Sequence, residues 1–398
     1  MTKRSVIFAL LALFYFNAGV RAQNIKPKSA ILRLIDENLK DAASQYHFLM
    51  QHVPADSLPE TFRHNGTWQI TSAGNWVSGF YPGTLFNLYK ATGDTVLYHE
   101  ALRKLRVMAP EQNADSHDVG FMMNNSYGIA NQINPTDAYK QILINSANTL
   151  AKRFNKNVGC TLSWSSAPGQ FRVIIDNMMN LELLMWATKT TGDSSYARIA
   201  ITHANTTLKN HFRPDYSSYH MLVYDPETGK VLKKQTVQGA ADSSAWARGQ
   251  GWGLYGYTMM YRETHDPKYL SQAIHIANFI LSNPNLPADK VPYWDFNAPG
   301  IPNTYRDVSA AAIYASALIE LSGYADKQNA KKFIKAAEDI ITSLSSPQYK
   351  AKTGDNGGFL LMHGVGHLPA HSLIDVPLIY ADYYFVEAML RYKALGRN

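Results

Sequence analysis

Along this chain, apolar and polar positions alternate in one recurring pattern. A stretch with helical apolar spacing runs into a polar corner that holds an aspartate, and a second helical stretch follows. The corners are NLYKATGDTVLYHEAL around Asp94, NQINPTDAYKQIL around Asp137, WATKTTGDSSYARIA around Asp193 and YRETHDPKYLSQA around Asp266. A weaker copy, SGYADKQNAKKFIKAA, surrounds Asp326. Each Asp is expected to cap the helix it opens, and the Gly or Asn before it to end the previous helix. With an N-terminal helix predicted from Ala30 to Val53 and a closing helix from Ile379 to Leu395, the spacing predicts about six stacked helical hairpins.

Strand signals are sparse. Met221 to Val237 contains two short extended runs around a Pro-Glu-Thr-Gly turn, which predicts a small β-hairpin. An apolar run, FRVIIDNMMNLELLMW, Phe171 to Trp186, is read as one buried helix carrying a single aspartate, Asp176. No Pro/Ser-rich linker divides the chain. The expected fold is therefore all-α: a single domain over 23–398, built as a closed ring of inner and outer helices, with function in long loops on one face. An open superhelix is the structural alternative, because hairpins alone do not show closure.

Composition then narrows the setting. Lys3 and Arg4 precede an apolar core, Val6 to Phe16, and Val20-Arg21-Ala22 offers small residues for cleavage. Residues 1–22 read as a secretory signal peptide cut after Ala22, so the chain is expected to be exported. No later stretch has the length and apolarity of a transmembrane helix, and no membrane partner is expected. Cys160 is the single cysteine, which rules out an intrachain disulfide and leaves the fold to rely on its core. The net charge of +7 is partly N-terminal and not gathered into runs. It suits an acidic substrate and points away from nucleic acid. Aromatic residues make up 12% of the chain, including 24 Tyr and 7 Trp.

Candidate chemistry lies between the corners: GNWVSGFYPG with Trp76, HDVGF with His117 and Asp118, then Asp176, His220, Gln238 and WARGQGW with Trp246, Arg248 and Trp252. In a ring of hairpins these positions fall on one rim. A carboxylate in the apolar run must find partners or keep its proton, and a carboxylic acid protonated near neutral pH is what a general acid requires. Each residue also has a structural reading. Asp176 could cap onto the Met179 amide or pair with Arg172, and Asp118 could be an N-cap. Trp76 and His220 could be packing residues, and Arg248 a cation–π contact. Nucleophile-elbow, P-loop and dinucleotide motifs do not occur. His117, His363, His367 and His371 lack the spacing of a zinc site, so neither metal nor cofactor is expected.

Taken together, GNWVSGFYPG, HDVGF, IIDNMMNLELLMWA, YHMLVYDPETG, TVQGAADSSAWARGQGWGLYGY and DVPLIYADYYFVEAM resemble the unsaturated glucuronyl hydrolases, glycoside hydrolase family 88, from about Ile25 to the C-terminus. The resemblance implies an (α/α)6 barrel acting on oligosaccharides that carry a 4,5-unsaturated uronic acid at the non-reducing end, as polysaccharide lyases produce. It places the essential carboxylates on Asp118 and Asp176, and sugar contacts on Trp76, His220, Thr236, Gln238, Arg248 and Trp252. In the implied reaction Asp176 protonates C4, water adds at C5, and Asp118 holds a sugar hydroxyl while its charge keeps Asp176 protonated. Arg248 and His220 bind the uronate and orient water; Trp76 and Trp252 stack on the ring. The chain departs from the family pattern at MHGVGHLPAHS, a loop that the resemblance associates with the neighbouring sugar and its sulfation, and at Lys234, where the family often has a small residue. It also implies a periplasmic location. The alternatives are an unsaturated rhamnogalacturonyl hydrolase or other barrel glycosidase, and a non-catalytic sugar-binding toroid.

Overall fold

A computed structural model describes residues 25–164 and 167–396. The expected signal peptide, 1–22, lies outside the described residues. Among those residues the chain forms twelve helices: α1 Ser29–Met50, α2 Phe80–Thr92, α3 Thr95–Met108, α4 (119–133), α5 Asp137–Ala151, α6 Leu181–Thr191, α7 Ser194–Asn210, α8 Ala247–Thr264, α9 Pro267–Ser282, α10 Val308–Ser322, α11 Lys327–Leu344 and α12 Ile379–Ala394. Helix α4 contains a π-helical stretch, Asn124–Gly128. The even-numbered helices form an inner ring and the odd-numbered ones an outer ring. The ring closes because α12 packs on both α10 and α2, which excludes the open superhelix. The fold is the expected (α/α)6 barrel.

The corners form largely as capping chemistry dictates. Gly93 and Gly192 end their helices in the left-handed region (φ 76° and 78°), where a Cβ is disfavoured. The next residues, Asp94 and Asp193, accept the amides of Val96 and Leu97, and of Ser195. Asp266 and Asp326 cap in the same way. Two corners differ from expectation. His265 takes the left-handed position (φ 55°) expected of a Gly or Asn. Thr136, not Asp137, is the cap of α5, accepting from Tyr139 N at 3.1 Å. Threonine at this position leaves Asp137 in the first turn, where its charge favours the helix dipole.

The inner helices are apolar on most sides: in α10 nearly every residue is buried. The outer helices are amphipathic, and α11 buries Ala330, Phe333, Ala337, Ile340, Ile341 and Leu344 at helical spacing. Connections from inner to outer helices are tight. Those from each outer helix to the next inner one are long, and they carry the strands: β1 Leu58–Phe62, β2 Trp68–Thr71, β3 Phe154–Asn155, β4 Cys160–Thr161, β5 Phe171–Ile174, β6 Met221–Tyr224, β7 Val231–Gln235, β8 Gly364–His367 and β9 Ser372–Val376. One rim therefore holds all the elaborated loops, together with the N-terminal ends of the inner helices.

The expected helix from Phe171 to Trp186 is corrected by the structure. Phe171–Ile174 is strand β5, Ile175–Asn180 is a 3₁₀ turn, and α6 begins only at Leu181. The β-branched run Val173-Ile174-Ile175 favours extended backbone, and β6 supplies a partner along all four residues of β5. The expected hairpin is present as β6–β7, but β5 completes it as a three-stranded antiparallel sheet in the order β5–β6–β7.

Candidate active site

That correction places Asp176. The sheet ends where Ile175 N donates to His220 O at 2.9 Å, so Asp176 and His220 leave adjacent strands side by side. Asp176 lies in the 3₁₀ turn and caps no helix, and its Oδ2 is buried without a partner. Asp118 directly precedes α4 and accepts no capping bond. The carboxyls of Asp118 and Asp176 keep only 13% and 12% of their exposure. Burial lifts Asp118 to a pKa of about 7, against the opposing hydrogen bond from Asn180 and the charge of Arg153. Burial, reinforced by the charge of Asp118, lifts Asp176 to about 7 as well, with Arg248 and Trp252 pulling the other way. Two such acids near each other titrate as a pair, so near neutrality the pair shares a proton.

The groups around Asp176 are aimed and unspent. His220 Nδ1 accepts the amides of Val237 (2.9 Å) and Gln238 (3.3 Å), so the ring's proton sits on Nε2. That Nε2 lies 3.8 Å from Asp176 Oδ2 and bonds to no protein atom. Burial holds His220 neutral, with its pKa lowered to about 3. Trp252 Nε1 is likewise buried; it makes no well-formed hydrogen bond but interacts with Asp176 closely enough to lower its pKa as a weak donor. Unsatisfied buried polar atoms are rare and disfavoured in a core, and three of them in one place, the acid's own Oδ2 included, mark a ligand position. The N-terminal ends of the inner helices add partial positive charge to the same rim, which suits an anionic sugar.

Two expected sugar contacts take other roles. Trp252 is fully buried, with its ring against Phe121 at 5.2 Å and Tyr384 at 5.5 Å, so no face is left to stack on a sugar; it contributes a donor instead. Arg248 is 2% exposed. Its Nη1 donates to Asp307 Oδ2 (2.9 Å) and Val365 O (2.6 Å), and its Nη2 to Gln238 Oε1 (2.8 Å) and Gly366 O (2.6 Å). Both Nη atoms are thus engaged by the protein, so the expected grip on the uronate has no free fork in this arrangement. Arg248 acts through its charge on Asp176 and by fixing Gln238 and strand β8. Thr236 and Gln238 sit in the turn after β7, where Thr236 Oγ1 accepts the Gly239 amide at 2.7 Å. Trp76 remains half-buried, held by Phe80, Phe121 and Tyr380, and is the aromatic of the set with ring surface at the rim.

Three residues of the site received no role from the sequence. Trp246 packs its ring on His220 (4.7 Å) and under the Arg248 guanidinium (4.6 Å). Asp307 pairs with Arg248 while capping α10 through Ser309 N. Asp382 accepts Leu360 N, Leu361 N and Tyr46 Oη, holding the segment that leads into β8. Only the WARGQGW motif hinted at Trp246; Asp307 and Asp382 look like ordinary cap and helix positions. His363 bonds Asp375 and His367 bonds Val237 O, and among the described residues no three His, Cys, Asp or Glu side chains group as a metal site.

The family model of Glycosyl Hydrolase Family 88 matches residues 47–387. An unsaturated glucuronyl hydrolase of Formosa agariphila is 46% identical over 325 residues, covering 81% of this chain and 80% of that protein. An unsaturated chondroitin disaccharide hydrolase of Streptococcus agalactiae is 30% identical over 90% of this chain and 91% of its own length. Among solved structures, an unsaturated glucuronyl hydrolase specific for heparin superposes with a TM-score of 0.89 at 45% identity, covering 92% of this chain and 98% of that one. The Bacillus enzyme that degrades glycosaminoglycan gives 0.85 at 30% identity, covering 90% and 96%. With its barrel, its paired acids and these relatives agreeing, the chain belongs to glycosyl hydrolase family 88 and is a glycosidase of the unsaturated glucuronyl hydrolase type.

Proposed function

We propose that this enzyme removes the 4,5-unsaturated uronate from the non-reducing end of lyase-generated glycosaminoglycan oligosaccharides by hydrating its vinyl ether. The observation that supports this most is Asp176: an acid with pKa near 7, buried beside unsatisfied donors. Asp176 gives its proton to C4, leaving positive charge shared between C5 and the ring oxygen. Water, held by the Nε2–H of neutral His220, attacks C5 and loses a proton to the Asp176 carboxylate, which is thereby restored. The product is a hemiketal at C5. It opens by breaking the bond from C5 to the ring oxygen, and the hemiacetal left at C1 then expels the neighbouring sugar. One water is consumed, and no group attacks C1 directly, unlike in an ordinary glycosidase. Asp118, carrying the charge, holds a sugar hydroxyl and keeps the proton on Asp176; Trp76 supplies the face for the flat ring.

The test is direct. Unsaturated disaccharides from chondroitin, hyaluronan, heparin and pectin are mixed with the enzyme and the ultraviolet absorbance of the C4=C5 bond is followed. The absorbance falls on glycosaminoglycan products; a fall on the pectin product alone assigns the rhamnogalacturonyl specificity instead, and no fall on any substrate removes the hydration reading. Export, proposed from residues 1–22, is checked by fractionating the producing cell.

A further inference from the structure

One side chain bonded to Asp118 is not yet used by the proposed reaction. Asn180 closes the 3₁₀ turn that begins with Ile175-Asp176, and it is 1% exposed. Its Oδ1 accepts the backbone amide of Phe121 at 2.8 Å. A backbone N–H is an obligate donor, so the atom facing it must be the amide oxygen, and the amide nitrogen is left pointing the other way. There it meets Asp118 Oδ1 at 3.4 Å. Gly120 leaves the room for this: a Cβ at Gly120 would lie 2.6 Å from both Cα and Oδ1 of Asn180. The first turn of α4 is therefore shaped around Asn180, and Asn180 ties the segment carrying Asp118 to the segment carrying Asp176.

We propose that Asn180 is a positioning residue that donates to Asp118 and thereby makes Asp118 the charged member of the pair. This inference rests on the reading of the reaction given above. Two acids of similar environment do not by themselves choose which one keeps the proton. Around Asp118 stand His117, whose Nε2 is 3.2 Å from Oδ2, the cation Arg153 beyond α5, Asn180, and Asp176 itself. His117 is held neutral by burial, with its pKa lowered to about 3, so it offers Asp118 no charge. Asn180 is the side chain whose hydrogen bond favours ionised Asp118. Asp176 faces His220, Trp252 and Arg248. With the negative charge settled on Asp118, the shared proton stays on Asp176, where the double bond receives it.

The experiment compares Asn180→Ala and Asn180→Asp across pH, with the disaccharide absorbance assay for activity and thermal unfolding for integrity. In N180A, Asp118 loses its donor and binds a proton more readily, so the acid limb of kcat/KM moves up by about one pH unit and kcat falls about tenfold. In N180D, the new side chain donates to Asp118 only while it holds a proton. The activity ratio of N180D to N180A is therefore high at acidic pH and declines as pH rises. A purely structural Asn180, needed only to accept from Phe121, gives the opposite trend, because the ionised carboxylate introduced by N180D accepts that amide at least as well. An N180A profile that superimposes on wild type after scaling, or a ratio that rises with pH, overturns the proposal. Should N180A fail to fold, Asn180→Ser takes its place and is read in the same way. Loss of absorbance by the wild-type enzyme separates this outcome from failure of the reaction itself, since that reading fails only if the wild type is inactive on every disaccharide.

Discussion

The two ends of the barrel bury carboxylates with different partners, and Glu320 at one end and Asp176 at the other shift in opposite directions. At the end formed by the tight corners, a cavity of about 520 Å³ is lined by Glu182, Arg262, Glu263, Tyr255, Glu387 and Arg391 among others. Its charges are satisfied. Arg262 bonds Glu182, Glu263 and Glu320, while Arg391 reaches Glu320, Glu387, Tyr255 Oη and the Ser316 carbonyl. Burial pushes the pKa of Glu320 up, yet Arg391 and Arg262 together hold it below the ordinary value; Glu182, which shares Arg262 and faces Glu320 and Glu263, is raised by the same burial. At the loop-bearing end, Asp118 and Asp176 are as deeply desolvated, have no ion pair with an arginine among the described residues, feel Arg153 and Arg248 only through their charge, and both rise to about 7. Desolvation is common to the two ends. Two direct arginine partners are what hold Glu320 low, and neither Asp118 nor Asp176 has one.

The comparison is broken most sharply by Asp176→Asn. Removing the acid is expected to lower kcat by about 10²–10⁴-fold while leaving the melting temperature unchanged or higher, because an unpaired buried carboxylate leaves with it. The disaccharide absorbance assay and thermal unfolding measure the two halves. At the other end the result should invert. Arg391→Ala leaves Glu320 with Arg262 alone and Glu387 with hydroxyl donors but no cation, and is expected to destabilise the fold by about 3–5 kcal/mol, read from urea denaturation, with activity per folded molecule little altered.

The dependence of stability on pH should carry opposite signs for the acid pair and for Glu320. Asp118 and Asp176 have folded pKa values raised above those of the unfolded chain, so the folded state binds more protons between about pH 4 and 7, and stability falls across that window as pH rises. Each unit contributes at most about 1.4 kcal/mol per carboxylate. Glu320, held low, contributes stability that is present above the unfolded value of about 4.3 and lost as pH falls below it. Urea midpoints measured from pH 3 to 8 should therefore fall off on both sides, and Asp176→Asn should flatten only the upper slope. The smallest effect is expected for Trp252→Phe. It keeps most of the aromatic packing and removes the donor that favours ionised Asp176, so the alkaline limb of kcat should move upward while kcat falls about tenfold.

How much of this was legible in the sequence follows the range of the forces involved. The corner at Asp94 is written in adjacent residues, since a left-handed Gly and a capping carboxylate act within four positions, and the same logic found Asp193, Asp266 and Asp326. Asp118 and Asp176 were recognisable as a motif acid and an apolar-set acid. The run from Phe171 was misread because hydrophobic spacing in a fully buried segment does not separate strand from helix; β6, some fifty residues later, supplied the pairing that decided it. The resemblance alone places Arg248 and Trp252 on the sugar, and it does not say what else surrounds them. Asp307, Gln238 and the β8 carbonyls, which claim the guanidinium, come from three other segments.

The sequence by itself determined the number of hairpins, the caps that join them and the residue types available at one rim, because these depend on contacts a few residues apart. Tertiary structure alone decided which of those residues hold a proton, which donate and which are merely anchored. A carboxylate's acidity is set by how much water surrounds it and by which charges approach it. At Asp176 both come from helices and strands distant along the chain.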